Sequence, residues 1–284
     1  MTGSTRWVWT SLAVAAVALP AAAAVFTWSG VYDVSALKPH TRGVFWVLGA
    51  ARAASIATHA KDVSVPAGFP ATQDGEAGRR LYETHCAACH GAPGLPPGPF
   101  GLGMNPTPPA LAEMARTLRA AEIFWATSNG IKMTGMPAWA YRLSEEDRWS
   151  ITAFVLASSS VVPGEYRARH GEEGGGRRLP PADAPKPAWI AEGAADRGRV
   201  AIAQHGCPTC HVIPGIVGSS TGIATPLKGI AARQYLGGVV PNTPETMVAW
   251  LRDPPAIKPG TAMPNVGLGE SDARDIAAYL SRLQ

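Results

Sequence analysis

The four cysteines of the chain form two pairs, and each pair has the same spacing and the same neighbour. Within each pair the cysteines are three positions apart, and a histidine directly follows the second one. The residues of these two motifs are Cys86, Cys89, His90, Cys207, Cys210 and His211. One short turn with this spacing presents both thiols to the two vinyl groups of a porphyrin, and the next side chain places an imidazole on the iron. The motifs therefore predict two covalently attached c-type haems, each with a histidine ligand.

Four cysteines could also form disulfides or bind a zinc ion. An exported chain can hold such residues as two disulfides, but pairs that each end in histidine are an unusual disulfide framework. A zinc site needs ligands from both motifs to converge on one ion, and the motifs lie about 120 residues apart. Haem attachment is the favoured interpretation, and zinc and disulfides stay open as alternatives.

A haem iron bound by one histidine has a second axial position, for which the soft sulfur of methionine is a suitable ligand. Met136 lies between Gly135 and Pro137, in a loop just before the last helix expected in its half of the chain. Met263 is also followed by proline and has the same context in the other half. We predict Met136 and Met263 as the sulfur ligands, with Met133 as the alternative to Met136.

An apolar segment near the N-terminus indicates the compartment. Residues 7–28 carry no charge and are numerous enough to cross a bilayer as a helix. Trp7, Trp9 and Trp28 lie at the two ends, where interfacial indole rings are favoured. A cleaved signal peptide is the alternative, because the alanines at 21–24 suit a signal peptidase. Both interpretations place the remaining chain on the periplasmic side of the inner membrane.

Length and composition limit the architecture that positions these residues. A chain of 284 residues has room for two domains of about 100 residues each. The 31 glycines and 26 prolines favour short helices joined by loops over a large sheet. The net charge is +4, and no block of Lys and Arg occurs, so nucleic acid is not an expected partner.

Local patterns predict further elements around the motifs. Residues 44–60 read as an amphipathic helix, which would lie on the membrane, pack on a partner subunit or fold against the first domain. Residues 163–187 show no apolar periodicity and contain runs of glycine and proline, which predicts a linker. His85 and His205 directly precede the two motifs, and we expect them at the surface rather than on an iron.

The order of features around the first motif resembles that of the class I cytochromes c. In that family a glycine of the first helix allows a close crossing with the last helix, beside an aromatic residue. Gly78 and Phe154 fall at those positions. The resemblance also implies that the carbonyl of Pro109 accepts a hydrogen bond from the ligand imidazole. Thr225 replaces this proline in the second half of the chain.

The resemblance implies an all-α fold, in which an N-terminal transmembrane helix precedes two tandem cytochrome c domains. The predicted segments are 1–30 (transmembrane anchor or signal), 31–69 (amphipathic helix and connector), 70–162 (first domain), 163–188 (linker) and 189–284 (second domain). We call residues 70–162 the first repeat and residues 189–284 the second repeat.

The second repeat resembles membrane-attached cytochromes c that work beside haem–copper oxidases, most clearly at 241–254 and 262–264. This resemblance implies an electron carrier rather than an enzyme, which relays electrons between a membrane quinol-oxidising complex and a terminal oxidase. One alternative is the cytochrome subunit of a membrane-bound dehydrogenase. Another is a dihaem peroxidase, which needs one iron without a sixth protein ligand; the methionine–proline pair in both repeats argues against it.

Overall fold

The computed structural model describes residues 3–171, 194–218 and 224–284, which fall into two compact units, residues 1–38 and residues 39–284. The helices are α1 Gly3–Trp28, α2 Arg42–His59, α3 Gly75–His85, α4 Ala87–His90, α5 Pro99–Leu102, α6 Leu111–Met114, α7 Ala120–Asn129, α8 Glu145–Ser158, α9 Pro163–His170, α10 Ala194–Gln204, α11 Pro244–Arg252, α12 Pro254–Ile257 and α13 Glu270–Leu280. Short 3-10 turns cover Ala60–Asp62, Cys207–Thr209 and Ile230–Ala232.

Strand structure is limited to a small ribbon in the described residues. Strands β1 (Tyr235–Leu236) and β2 (Val240–Pro241) pair antiparallel, with Leu236 opposite Val240. The protein is thus mostly helical, as the composition predicts.

The first unit contains the long apolar helix α1. The most apolar 18-residue stretch within residues 6–28 has a mean hydropathy of 1.9, and the helix is long enough to cross a membrane. The hydroxyls of Thr10 and Thr27 donate hydrogen bonds to carbonyls four residues earlier, at 2.6 and 2.8 Å. These bonds satisfy two polar side chains within the helix itself, as an apolar solvent requires. A signal peptide would have the same length and composition, so both interpretations of this helix remain.

Helix α2 confirms the helix expected at 44–60, and it packs on the first repeat through its C-terminal end. Ile56 is buried, and the ring of His59 stacks on Trp125 of α7 with 5.3 Å between ring centroids. Most of the other side chains are exposed, including Trp46 at 71% and Val47 at 55%. The expectation that α2 folds against the first repeat is therefore met at one end of the helix.

In the first repeat, helices α3 and α8 cross at Gly78. A Cβ atom at Gly78 would lie 2.2 Å from the carbonyl oxygen of Ser150 and 3.3 Å from Cβ of Phe154. Asp74 caps α3 by accepting two backbone N–H bonds, and Ser144 caps α8 by accepting the N–H of Asp147 at 3.0 Å. The crossing that the resemblance implies is present, and both of its helices begin with a side-chain cap.

In the second repeat, helices α10 and α13 cross in the same way. A Cβ atom at Gly198 would lie 2.0 Å from the carbonyl oxygen of Asp275. The apolar core beneath this crossing includes Ala201, Ile202, Ile213, Ile230, Leu236, Met247, Trp250, Leu251, Leu268, Ala273, Ile276 and Leu280. Two glycine-mediated crossings thus support the two cysteine–histidine motifs.

The structure corrects the expected linker at its first residues. Residues 163–170 form α9, and Tyr166 is 5% exposed in the core of the first repeat. The local sequence shows no apolar period because one buried side chain anchors this short helix. The remaining residues of the predicted linker, from 172 onward, lie outside the described residues.

His205 also differs from the surface position expected for it. Its side chain is 12% exposed, and Nε2 lies 3.1 Å from Oδ2 of Asp272 on α13. His85 is half-buried, and its ring lies 5.1 Å from the ring of Trp139. Both histidines therefore contact residues far along the chain, which local sequence does not reveal.

Candidate haem-binding sites

The first motif lies at the junction between helices α3 and α4. Cys86 is the residue between them, and its carbonyl accepts the N–H groups of Cys89 and His90 at 3.1 and 2.9 Å. One tight turn therefore carries both thiols and the imidazole, as the spacing predicts. The second motif forms the equivalent turn, in which Cys207 accepts the N–H groups of Cys210 and His211.

The two motif histidines are oriented in the same way. Nδ1 of His90 lies 2.8 Å from the carbonyl oxygen of Pro109, and Nδ1 of His211 lies 2.9 Å from that of Thr225. A carbonyl can only accept, so Nδ1 carries the proton and Nε2 is left with its lone pair. Nε2 is then the atom that can bind iron, and the loop carbonyl fixes the orientation of the ring.

The ionisation of the two motif histidines fits neutral imidazole ligands, beside cysteines that are protonated thiols in the folded chain. Burial raises the pKa of Cys86 and of Cys207 to about 12, so both are neutral thiols at pH 7. Burial lowers the pKa of His90 and of His211, against the opposing effect of their carbonyl hydrogen bonds. Neutral imidazole is the form that binds metal ions. The donors present therefore match a c-type haem.

The alternatives for the cysteines receive no support from the fold. All four cysteines are free thiols. In the described parts of the chain, no three His, Cys, Asp or Glu side chains converge in a way that could hold a metal ion.

The methionine–proline loops share a local structure that the sequence analysis missed. The backbone N–H of Met136 donates to Oγ1 of Thr134 at 3.1 Å, and that of Met263 donates to Oγ1 of Thr261 at 3.2 Å. A threonine hydroxyl that accepts the N–H two residues later stabilises a turn. The repeated order threonine, any residue, methionine, proline was visible in the sequence and is the signal for it.

The structure separates the predicted methionines by burial. Met136 and Met263 are half-buried, whereas Met133 is 90% exposed and has a positive φ of 59°. Met104 packs on the same loop, since its Sδ lies 2.9 Å from the position of a Cβ atom at Gly135. An exposed side chain is poorly placed to bind a haem inside the protein, so burial favours Met136 over Met133.

A tyrosine hydroxyl donates a hydrogen bond to the loop after each motif. The hydroxyl of Tyr82 on α3 donates to the carbonyl of Gly91 at 2.7 Å, and that of Tyr279 on α13 donates to the carbonyl of Pro214 at 2.7 Å. The two tyrosines come from different helices of their repeats, the first helix in one and the last in the other. Both bonds keep the chain close to its motif histidine.

Comparison with known proteins assigns the first repeat. The family described as "Cytochrome C oxidase, cbb3-type, subunit III" matches residues 73–155. A protein from Alkalihalophilus pseudofirmus named "Cytochrome c oxidase subunit 2" is 32% identical over 91 residues, which are 32% of this chain and 26% of that protein. The chain thus spans about a quarter of the length of this curated relative. No solved structure matches significantly. Residues 73–155 therefore match a cytochrome c domain, and the two comparisons together support a haem protein of respiratory electron transport.

Proposed function

We propose that the chain carries two c-type haems, one in each repeat, and relays single electrons through them. The observation that carries this proposal is the repeated geometry of the two motifs. In both repeats Nδ1 of the motif histidine is bonded to a loop carbonyl, at 2.8 and 2.9 Å. In both repeats a methionine–proline loop with a threonine turn follows.

Each repeat has residues for attachment and for two axial ligands. Cys86, Cys89, Cys207 and Cys210 would anchor the porphyrins, His90 and His211 would each bind an iron, and Met136 and Met263 would supply the second protein ligands. Bound haem supplies reversible one-electron chemistry. The carbonyl and hydroxyl hydrogen bonds hold these ligands in place, so little has to move when an electron arrives. Two protein ligands on each iron leave no position for substrate, which makes the chain a carrier rather than an enzyme.

The proposed partners are a membrane quinol-oxidising complex as donor and a terminal oxidase as acceptor. The oxidase family matched by residues 73–155 supports the acceptor. Helix α1, if retained as an anchor, keeps the repeats near integral membrane complexes on the periplasmic side. A tether of this kind raises the effective concentration of the carrier at its partner.

Counting the haems tests the proposal directly. We expect the intact mass of the purified full-length chain to include two haems, and a pyridine haemochrome assay to give two per chain. Changing Cys207 and Cys210 to alanine should leave one haem, on the first repeat. A wild-type chain with a single haem would contradict the relay.

Substitution of the methionines tests the axial ligands. We expect Met136→Ala to abolish the methionine–iron absorption band of one haem, and Met263→Ala that of the other, with both haems still attached. Met133→Ala is the matched control, because that side chain is 90% exposed. Loss of the band in the Met133 variant, with the Met136 variant unchanged, would reverse the assignment.

Kinetics tests the partners. Reduced wild-type protein should be oxidised by membranes that contain the terminal oxidase of the same organism, and cyanide should stop this oxidation. Oxidation by hydrogen peroxide at an enzymatic rate, insensitive to removal of the oxidase, would favour a peroxidase instead.

A further inference from the structure

Helix α9, which follows the first repeat, is firmly attached to that repeat. The side chain of Tyr166 is 5% exposed, and its ring centroid lies 6.3 Å from that of Phe154 on α8. Its hydroxyl donates to Oε1 of Glu83 on α3 at 2.5 Å, and Glu83 also pairs with Arg79. Burial raises the pKa of Tyr166, so the hydroxyl keeps its proton for this bond.

The next residue, Arg167, contacts both repeats. Its Nη1 donates to the carbonyl of Gly94 at 3.2 Å, and its Nη2 donates to the carbonyl of Pro259 at 2.7 Å. Gly94 lies four residues after His90, and Pro259 lies four residues before Met263. One guanidinium thus joins the loop that follows the first motif to the loop that carries the second predicted methionine ligand.

The backbones around Arg167 approach too closely for side chains. A Cβ atom at Gly94, where φ is +74°, would lie 2.5 Å from the carbonyl of Pro163 at the start of α9. A Cβ atom at Gly164 would lie 3.2 Å from the carbonyl of Pro259. The N-terminal turn of α9 therefore lies between the two loops that Arg167 joins.

The two repeats also contact each other next to the second motif. Gly206, which directly precedes Cys207, has φ +68°, and a Cβ atom there would lie 3.2 Å from Cδ2 of Leu102 and 3.6 Å from Cγ2 of Thr107. Leu102 and Thr107 belong to the segment between His90 and Pro109. Segments next to both motifs thus meet at two points of contact between the repeats.

We propose that Arg167 is a positioning residue that holds the two haem-binding loops at a fixed separation for electron transfer between them. This inference rests on the proposed two-haem function. In the proposed step, one electron would pass from the reduced haem of one site to the oxidised haem of the other, and no bond or proton would be exchanged. Arg167 is not among the predicted iron ligands; it would set the distance over which the electron passes.

The chemistry of Arg167 suits this role. A guanidinium donates in two directions from one rigid plane, whereas a lysine ammonium on its flexible stem lacks this fixed fork. Both acceptors are backbone carbonyls, which do not titrate.

The test compares Arg167→Lys and Arg167→Ala with Arg169→Ala in the full-length protein. Arg169 is the matched control, because it lies on the same helix, is 71% exposed and pairs with Glu165 at 3.3 Å. Pulsed electron paramagnetic resonance of the oxidised protein gives the distribution of distances between the two irons. Pulse radiolysis with less than one reducing equivalent per chain gives the rate of transfer between them.

We expect a narrow distance distribution in the wild type and in the Arg169 variant. In both Arg167 variants the narrow component should shrink, with the equilibrium constant for the docked arrangement lowered about ten-fold, the factor for loss of one charged hydrogen bond. Electron transfer between the sites should slow in parallel, with two haems and both methionine bands retained.

Three results would overturn the inference. The first is an unchanged distance distribution and rate in both Arg167 variants. The second is loss of the second methionine band in Arg167→Ala, which would show that Arg167 supports ligation within one repeat. The third is one haem in the wild-type chain, which would remove the proposed function itself and is recognised from the mass before any variant is compared.

Discussion

At the level of single residues, the two repeats place a tyrosine hydroxyl on different helices but use it for the same hydrogen bond. Tyr82 lies four positions after Gly78, and the matching position after Gly198 is Ile202. Tyr279 of the second repeat corresponds in turn to Phe154 of the first, as the glycine crossings align them. Each repeat thus has one tyrosine at its helix crossing, and the hydroxyl of this tyrosine donates a hydrogen bond to the loop after the motif.

Removing the buried hydroxyl should weaken the first repeat. Tyr82→Phe keeps the ring but leaves the Gly91 carbonyl without its donor, which we expect to lower the free energy of unfolding by about 1 kcal/mol. Tyr279→Phe should cost less, because that residue is half-buried and water can replace the bond. Guanidinium chloride titrations measure the free energy of unfolding of both variants. Tyr141→Phe is the control, because Tyr141 is 92% exposed. An equal loss in all three variants would contradict this account.

The carboxylate of Glu76 should contribute to acid sensitivity. Its hydrogen bond to Arg79 is the main cause that lowers its pKa from the ordinary 4.5 to about 2. Because the folded pKa is the lower one, the stabilisation is present above pH 4.5 and is lost as the pH falls towards 2. Melting temperatures of wild type and Glu76→Gln should differ at pH 6 and converge near pH 2. A constant difference over that range would refute the role of ionisation.

At the scale of elements, each repeat depends on one close helix crossing. Gly78→Ala would place a methyl group 2.2 Å from the carbonyl oxygen of Ser150. Helices α3 and α8 would have to move apart to make room for it. Overpacking of this kind typically costs about 1–3 kcal/mol. Gly75→Ala, on the same helix, is the control, since a Cβ atom there meets nothing within 4 Å.

Calorimetry would measure this difference between the two glycine variants. The Gly78 variant should melt at a lower temperature than the wild type, and the Gly75 variant should melt at the same temperature or higher because alanine favours helix. Equal melting of the two variants would show that the crossing adapts without cost.

The elements that the sequence predicts well are those whose signals are local. The helix at 44–60 follows from nearby residues and the crossing at Gly78 from the family resemblance, and the structure confirms both. Helix α9 was not predicted, because it is stabilised by the packing of Tyr166 in a core whose other residues lie far away in the sequence. The burial of His205 depends on Asp272, 67 residues away. Contacts of this range leave no periodic pattern in the sequence.

The candidate sites divide in the same way. The cysteine–histidine spacing and the resemblance together anticipate the carbonyl bonds to His90 and His211, including the one from Thr225. The bridge by Arg167 was not anticipated, since it joins Gly94 and Pro259 across 165 positions of sequence.

For the whole molecule, the fate of α1 determines whether the protein is anchored in the membrane or released from it. If α1 is retained, we expect haem-bearing protein to remain in the membrane after an alkaline carbonate wash and to leave it only in detergent. Intact mass should then include residues 6–28. A soluble product that begins after the alanines at 21–24 would identify a signal peptide instead.

The burial of Cys86 has a consequence for biosynthesis. In the folded chain this residue is 8% exposed and packs in one core with Tyr82 and Ile151. An enzyme that joins haem to both sulfurs of the motif cannot reach that thiol once the core has closed. The proposed attachment of haem to Cys86 would therefore have to come before this core closes.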